Sequence, residues 1–84
     1  MPLYYFHFRD NNFAMPDPEG TELPDLVAAL GEAWIDAREF IANELKSGRS
    51  LPDGYIEIAD KSGEVLATLW FREVWEHFQR LKGT

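Results

Sequence analysis

Residues 24–46 read PDLVAALGEAWIDAREFIANELK, and this stretch decides the fold. At ~100° per residue, Leu26, Leu30, Ala33, Ala37, Phe40 and Ile41 fall on one stripe. Val27, Trp34 and Leu45 widen it, while Glu32, Asp36, Glu39, Asn43 and Lys46 fall opposite. The spacing predicts one amphipathic helix over 25–46, broad enough on its apolar side to lie flat on a sheet. Pro24 has no amide to leave unbonded in a first turn, and Glu22 and Asp25 suit the positive end of the dipole. Lys46 and Gly48 close the helix. Gly31, inside it, costs roughly 1 kcal/mol relative to alanine, so either a neighbour needs the space or the cost is tolerated. Ile35 projects from the polar side near Gly31 and Ala42. It is either a lone exposed apolar residue or a contact for another chain or the C-terminal helix.

Strands flank this helix. The segment 3–9 contains YYFHF, whose alternation sends Tyr4, Phe6 and Phe8 toward the core and Leu3, Tyr5, His7 and Arg9 outward. Asp10-Asn11-Asn12 reads as a turn into a short strand over 13–15, halted by Pro16 and Pro18. PDPEGTELP then reads as a stiff acidic connection. Beyond the helix, a loop with Pro52 and Gly54 leads to a strand over 55–59, with Ile56 and Ile58 on one face and Tyr55 and Glu57 on the other. Asp60-Lys61-Ser62-Gly63 is a hairpin turn. The return strand, 64–71, is apolar on both faces (Val65, Ala67, Leu69, Phe71 against Leu66, Thr68, Trp70), which predicts a strand covered on both sides. Phe71, Val74, Trp75, Phe78 and Leu81 recur at helical spacing and predict a helix over 72–81, frayed by Gly83.

The expected fold is therefore a single α+β domain over 1–84. It has a three- to four-stranded, mainly antiparallel sheet in the order β-(β)-α-β-β, one long helix on a face and a short C-terminal helix. The chain has no cysteine, which removes disulfides and thiolate metal sites and suits a reducing cytoplasm. The opening MPLYYFHFRD lacks the basic segment and apolar run of a secretory signal, and no stretch approaches the ~20 apolar residues of a membrane span. Net charge is −7, from 15 acidic against 8 basic residues, and the basic residues are scattered. That balance argues against a nucleic-acid partner, since such affinity rests on neutralised phosphates.

Little here carries catalytic chemistry, so no enzyme activity is expected. Ser47, Ser50 and Ser62 all fall in turns outside any nucleophile-elbow context. The glycines are dispersed, so no phosphate cradle forms. His7 and His77, joined by Glu73 or Asp10, would make a zinc set if the C-terminal helix covered the outer sheet face, but no HxxxH or HxH spacing supports one. No cofactor and no metal are expected. What stands out is a surplus of large apolar groups. Leu3, Tyr5, His7, Ile35, Trp70, Trp75 and Phe78 are the candidate interaction residues, to be covered by the C-terminal helix, a second copy or another protein.

With the strand and loop in view, the chain resembles a family of small bacterial proteins of unknown function. The residues that carry the likeness are Met1, Pro2, Tyr4, Tyr5, Phe6 and His7, then Asp17, Glu19, Gly20, Glu22, Leu23 and Asp25. In the hairpin they are Ile56, Asp60, Gly63, Leu69 and Phe71. The resemblance stops near Arg72. It implies a stand-alone cytoplasmic α+β domain and no activity. Two departures add apolar surface and are expected to cover each other. They are Leu30, Trp34 and Ile35, where such proteins commonly carry polar residues, and the tail from Glu73 to Thr84. The layout also looks distantly like the antitoxin halves of toxin–antitoxin pairs. The expectation is a non-catalytic, self-associating interaction module. The alternatives are an antitoxin-like partner of a small enzyme, and a metal- or ligand-binding domain using His7.

Overall fold

Alternation in YYFHF builds the middle of the sheet. A computed structural model describes residues 1–10, 14–48 and 53–82, without the side chains of 81 and 82. The turn expected at Asn11-Asn12, the strand start at Phe13, the loop at Pro52, the Leu81 side chain and the fraying at Gly83 lie outside the described residues. Strand β1 (Leu3–Asp10) buries Tyr4 and Phe6 and packs Phe8 against the core, as its period of two predicts. It pairs antiparallel with β4 (Gly54–Ala59), from Tyr5 opposite Ala59 to Asp10 opposite Gly54. β4 pairs with β5 (Val65–Trp70), setting Ile56 against Leu69 and Tyr55 against Trp70. On the far side of β1 lie two strands of two residues each. These are β2 (Ala14–Met15), opposite Phe8 and Arg9, and β3 (Thr21–Glu22), opposite Leu3 and Tyr4. The sheet is five-stranded and antiparallel, in the order β2-β1-β4-β5 with β3 also on β1. The sequence reading missed β3 because two residues carry no alternation.

Helix α1 (Leu26–Lys46) begins one residue later than expected. Asp25 is its N-cap, with extended backbone and a side chain accepting from Ala28 N at 2.9 Å. Pro24 therefore precedes the cap. At the far end Gly48 takes φ +77° and donates to the Leu45 carbonyl. Ala29, Ala33, Ala37 and Ile41 are its buried residues, and three alanines in line let the backbone come close to the sheet. Leu26, Leu30, Trp34 and Phe40 pack against that core from the flanks. Val27 and Leu45, expected to widen the apolar stripe, are exposed instead, Val27 at 76%. A Cβ on Gly31 would meet nothing within 4 Å, so no neighbour requires that glycine.

Helix α2 (Phe71–Lys82) follows β5 with no residue between them. Strand parity explains its position. Trp70 points outward, so Phe71 points inward, and the helix starts beneath the same face that carries α1. Phe71 and Val74 are fully buried, and Trp75 and Phe78 pack against the core. Phe71 stacks on Phe40 at 5.0 Å and 16°, with Phe8 tilted against both. The Trp34 ring meets His77 edge-on at 5.3 Å, and Arg38 lies over the Phe78 ring. Of the added apolar groups of α1, Trp34 thus meets the tail, while Ile35 stays half exposed.

Two further corrections concern the hairpin. β5 was expected to be covered on both sides, but it is the edge strand, and Val65, Leu66, Thr68 and Trp70 are exposed. A bulge also resets its register. Ile58 faces Ala67 while Ala59 faces Val65, which leaves Leu66 as the extra residue. Counted straight from the turn, Ile56 would oppose Thr68. The bulge brings it opposite Leu69 and keeps both on the core side. Gly54, expected in a loop, opens β4, where a Cβ would collide with the Arg9 carbonyl oxygen.

Candidate functional site

Both helices occupy one face of the sheet, so the other face is bare among the described residues. It carries Leu3, Tyr5, His7 and Arg9 from β1, Tyr55 and Glu57 from β4, and Leu66, Thr68 and Trp70 from β5. Cross-strand pairing organises these side chains into rows. Tyr55 and Trp70 sit opposite each other with ring centroids 4.6 Å apart, and Arg72 lies over the Trp70 ring at 5.8 Å. Arg9 forms an ion pair with Glu57, one position along. Tyr5 and His7, neighbours on the same face, have nearly parallel rings 6.4 Å apart.

The border of this face on the β1 side is made by the acidic loop. β2 and β3 leave a gap along β1, and Asp17 fills it. One carboxylate oxygen accepts from Phe6 N, and the other accepts from Glu19 N and Gly20 N, each at 3.2 Å. Asp17 N donates in turn to His7 Nδ1 at 3.0 Å. Burial pushes the Asp17 carboxyl up, but the hydrogen bonds from Gly20, Phe6 and Glu19 and the nearby His7 outweigh it. Its pKa therefore falls below the ordinary value of 3.8. Gly20 closes the loop with φ +74°, and a Cβ there would meet the Tyr5 ring at 3.0 Å. The Asp17-x-Glu19-Gly20 run is thus built to hold β1 and its flanking strands in place.

The candidate residues divide between the two sides of the sheet. Leu3, Tyr5, His7 and Trp70 share the outer face. Ile35, Trp75 and Phe78 lie in the helix layer, where Ile35 and Phe78 flank a groove with Arg38, Glu39 and Ala42. Ile35 is 49% exposed. The metal set suggested by sequence does not assemble, because His7 lies on the outer face and His77 lies against Trp34 in the helix layer. Among the described residues no three metal-binding side chains converge. Tyr55 and Leu66 belong to the outer face but were not among the candidates. Strand parity had placed both on it, and only the bulge register brings Tyr55 to Trp70.

A family profile, Domain of unknown function (DUF6894), matches residues 3–72. The chain belongs to that family. The matched DUF6894 region takes in all five strands, the acidic loop and α1, and it ends just inside α2. Val74, Trp75 and Phe78 lie beyond the match, yet all three pack in or against the core. Comparison with curated proteins and with solved structures gave no match. Among the described residues no helix is long and apolar enough to cross a membrane.

Proposed function

We propose that this DUF6894 domain is a non-catalytic, cytoplasmic interaction module that associates with a second copy of itself, using the outer face of its sheet. One-sided layering is the observation that supports this reading. Two helices on one face leave Leu3, Tyr5, Tyr55, Leu66 and Trp70 on the other, with Trp70 39% exposed. Apolar patches of this kind mark contact surfaces. Charge opposes two copies least at the outer face. The chain carries −7, so two copies repel over most of their surface, but the outward residues of β1, β4 and β5 hold one carboxylate, Glu57, paired with Arg9, and Glu22 of β3 stands at the border opposite Leu3. The same chemistry speaks against catalysis. The Ser62 hydroxyl is bound to Asp60 at 2.6 Å and the Ser47 hydroxyl to the Asn43 carbonyl at 2.9 Å, both in turn or cap roles.

Light scattering over a series from micromolar to millimolar protein tests the reading, with wild type beside Trp70→Glu. The wild type is expected to double in mass across the series. The variant is expected to stay at monomer mass with unchanged far-UV circular dichroism. A wild type that remains monomeric throughout refutes the proposal.

A further inference from the structure

The two edges of the sheet are finished differently. On the β1 side stand two strands of two residues, Pro16, Pro18 and Pro24, and the carboxylates of Asp17, Glu19 and Glu22. Short strands, prolines and charge are the devices that keep an edge from pairing. β5 reads VLATLW, six residues without a charge or a proline, and it is the most exposed of the long strands. Its one irregularity, the bulge at Leu66, lies at the hairpin end, and regular pairing with β4 runs from Ala67 to Trp70. Among the described residues no strand pairs with its outer edge.

We infer that β5 pairs antiparallel with β5 of a second copy, about a two-fold axis through Thr68, so that two sheets run on as one. This rests on the self-association proposed above and places the contact at the β5 margin of the outer face, where Leu66 and Trp70 stand. The register follows from geometry. Directly opposed residues must point to the same side of the sheet, so the axis passes through a residue and not between two. An axis at Ala67 would set Leu66 against Thr68 of the second copy and leave Trp70 with no strand residue opposite it. At Thr68 the opposed strand pair is Leu66 with Trp70, occurring twice by symmetry, while Glu64 and Arg72 lie outside the strand. This pair joins two exposed apolar side chains across a seam that carries no charge. The joined outer faces then form one surface with the two Trp70 rings near its centre. A seam this short falls below ~1,200 Å² of buried surface, the size of weak and transient contacts, so association is expected at micromolar or higher concentration.

Amide hydrogen exchange on the wild-type chain, read residue by residue at low and high concentration, separates edge pairing from face-to-face stacking. In a lone edge strand alternate amides point to solvent and exchange fast. Edge pairing slows those same amides by about tenfold or more, from Ala67 to Trp70, as mass doubles. Leu66→Lys is expected to weaken association by about fivefold or more, and adding Trp70→Glu, its opposite in the seam, restores it. Doubled mass with the fast alternate amides unchanged overturns the edge inference and leaves self-association standing. So does a double variant no tighter than Leu66→Lys alone. A chain that never doubles in mass overturns both.

Discussion

Replacing Asp17 by asparagine tests the account of the acidic loop, because the two side chains have the same shape and differ in one oxygen. Both carboxylate oxygens accept from backbone amides, one from Phe6 and the other from Glu19 and Gly20. Asparagine has a single oxygen. If it faces Glu19 and Gly20, its amide group is turned against Phe6 N, donor to donor, and the reverse orientation loses two bonds. A hydrogen bond to a charged acceptor contributes ~1.5–3 kcal/mol, reduced here to about 1–2 kcal/mol because the loop is partly open to water. At ~4–8 °C per kcal/mol for a domain of this size, Asp17→Asn should lower Tm by roughly 4–16 °C at pH 7. Because the folded pKa of Asp17 is depressed, its contribution is present above about pH 4 and is lost as pH falls through the folded value. The gap between wild type and variant should therefore close in acid. Thermal melts followed by circular dichroism at pH 7 and pH 2.5 measure both. An asparagine variant with wild-type Tm at neutral pH, or a gap that persists in acid, refutes the three-bond account.

Two other substitutions should stabilise. Gly31→Ala fills open space in a helix interior and should gain about 1 kcal/mol, read as a higher urea midpoint at unchanged slope. A lower midpoint would show that the glycine is needed after all. Asp36 has a raised pKa, first through burial and then through Glu32, Glu39 and Asp17. A carboxyl raised in the fold weakens the fold as pH rises through its pKa, so Asp36→Asn should gain ~0.5 kcal/mol at pH 7 from relief of like charges along α1. At pH 3 the gain should vanish, and equal gains at both pH values would rule out the charge explanation.

The parts of the fold that were legible in sequence are those whose periodicity is set within one element. α1 showed itself through its 3.6-residue stripe, and β1 through the alternation of Tyr4, Phe6 and Phe8. What escaped depends on neighbours. Val65 to Trp70 is apolar on both faces, a pattern shared by a buried central strand and an undefended edge, and only the strand order tells them apart. Thr21 and Glu22 are a strand solely because β1 lies beside them. The bulge at Leu66 was hidden because a register shift leaves no mark on composition. For α2 the signal was present but unread. Trp70 faces outward, so the residue after it must face inward and bring the helix to the core side. That same parity divided the candidate contact residues, sending Trp70 to one side and Trp75 and Phe78 to the other.

The direct junction of Trp70 and Phe71 also governs how the chain comes apart. One peptide bond separates an outward tryptophan, held by Tyr55, from a fully buried phenylalanine stacked on Phe40. There is no hinge, so the last helix cannot peel away without pulling the final rung of the β4–β5 ladder with it. The first turn of the last helix and the end of the hairpin are therefore expected to open together, read as matched amide exchange at Trp70 and Phe71.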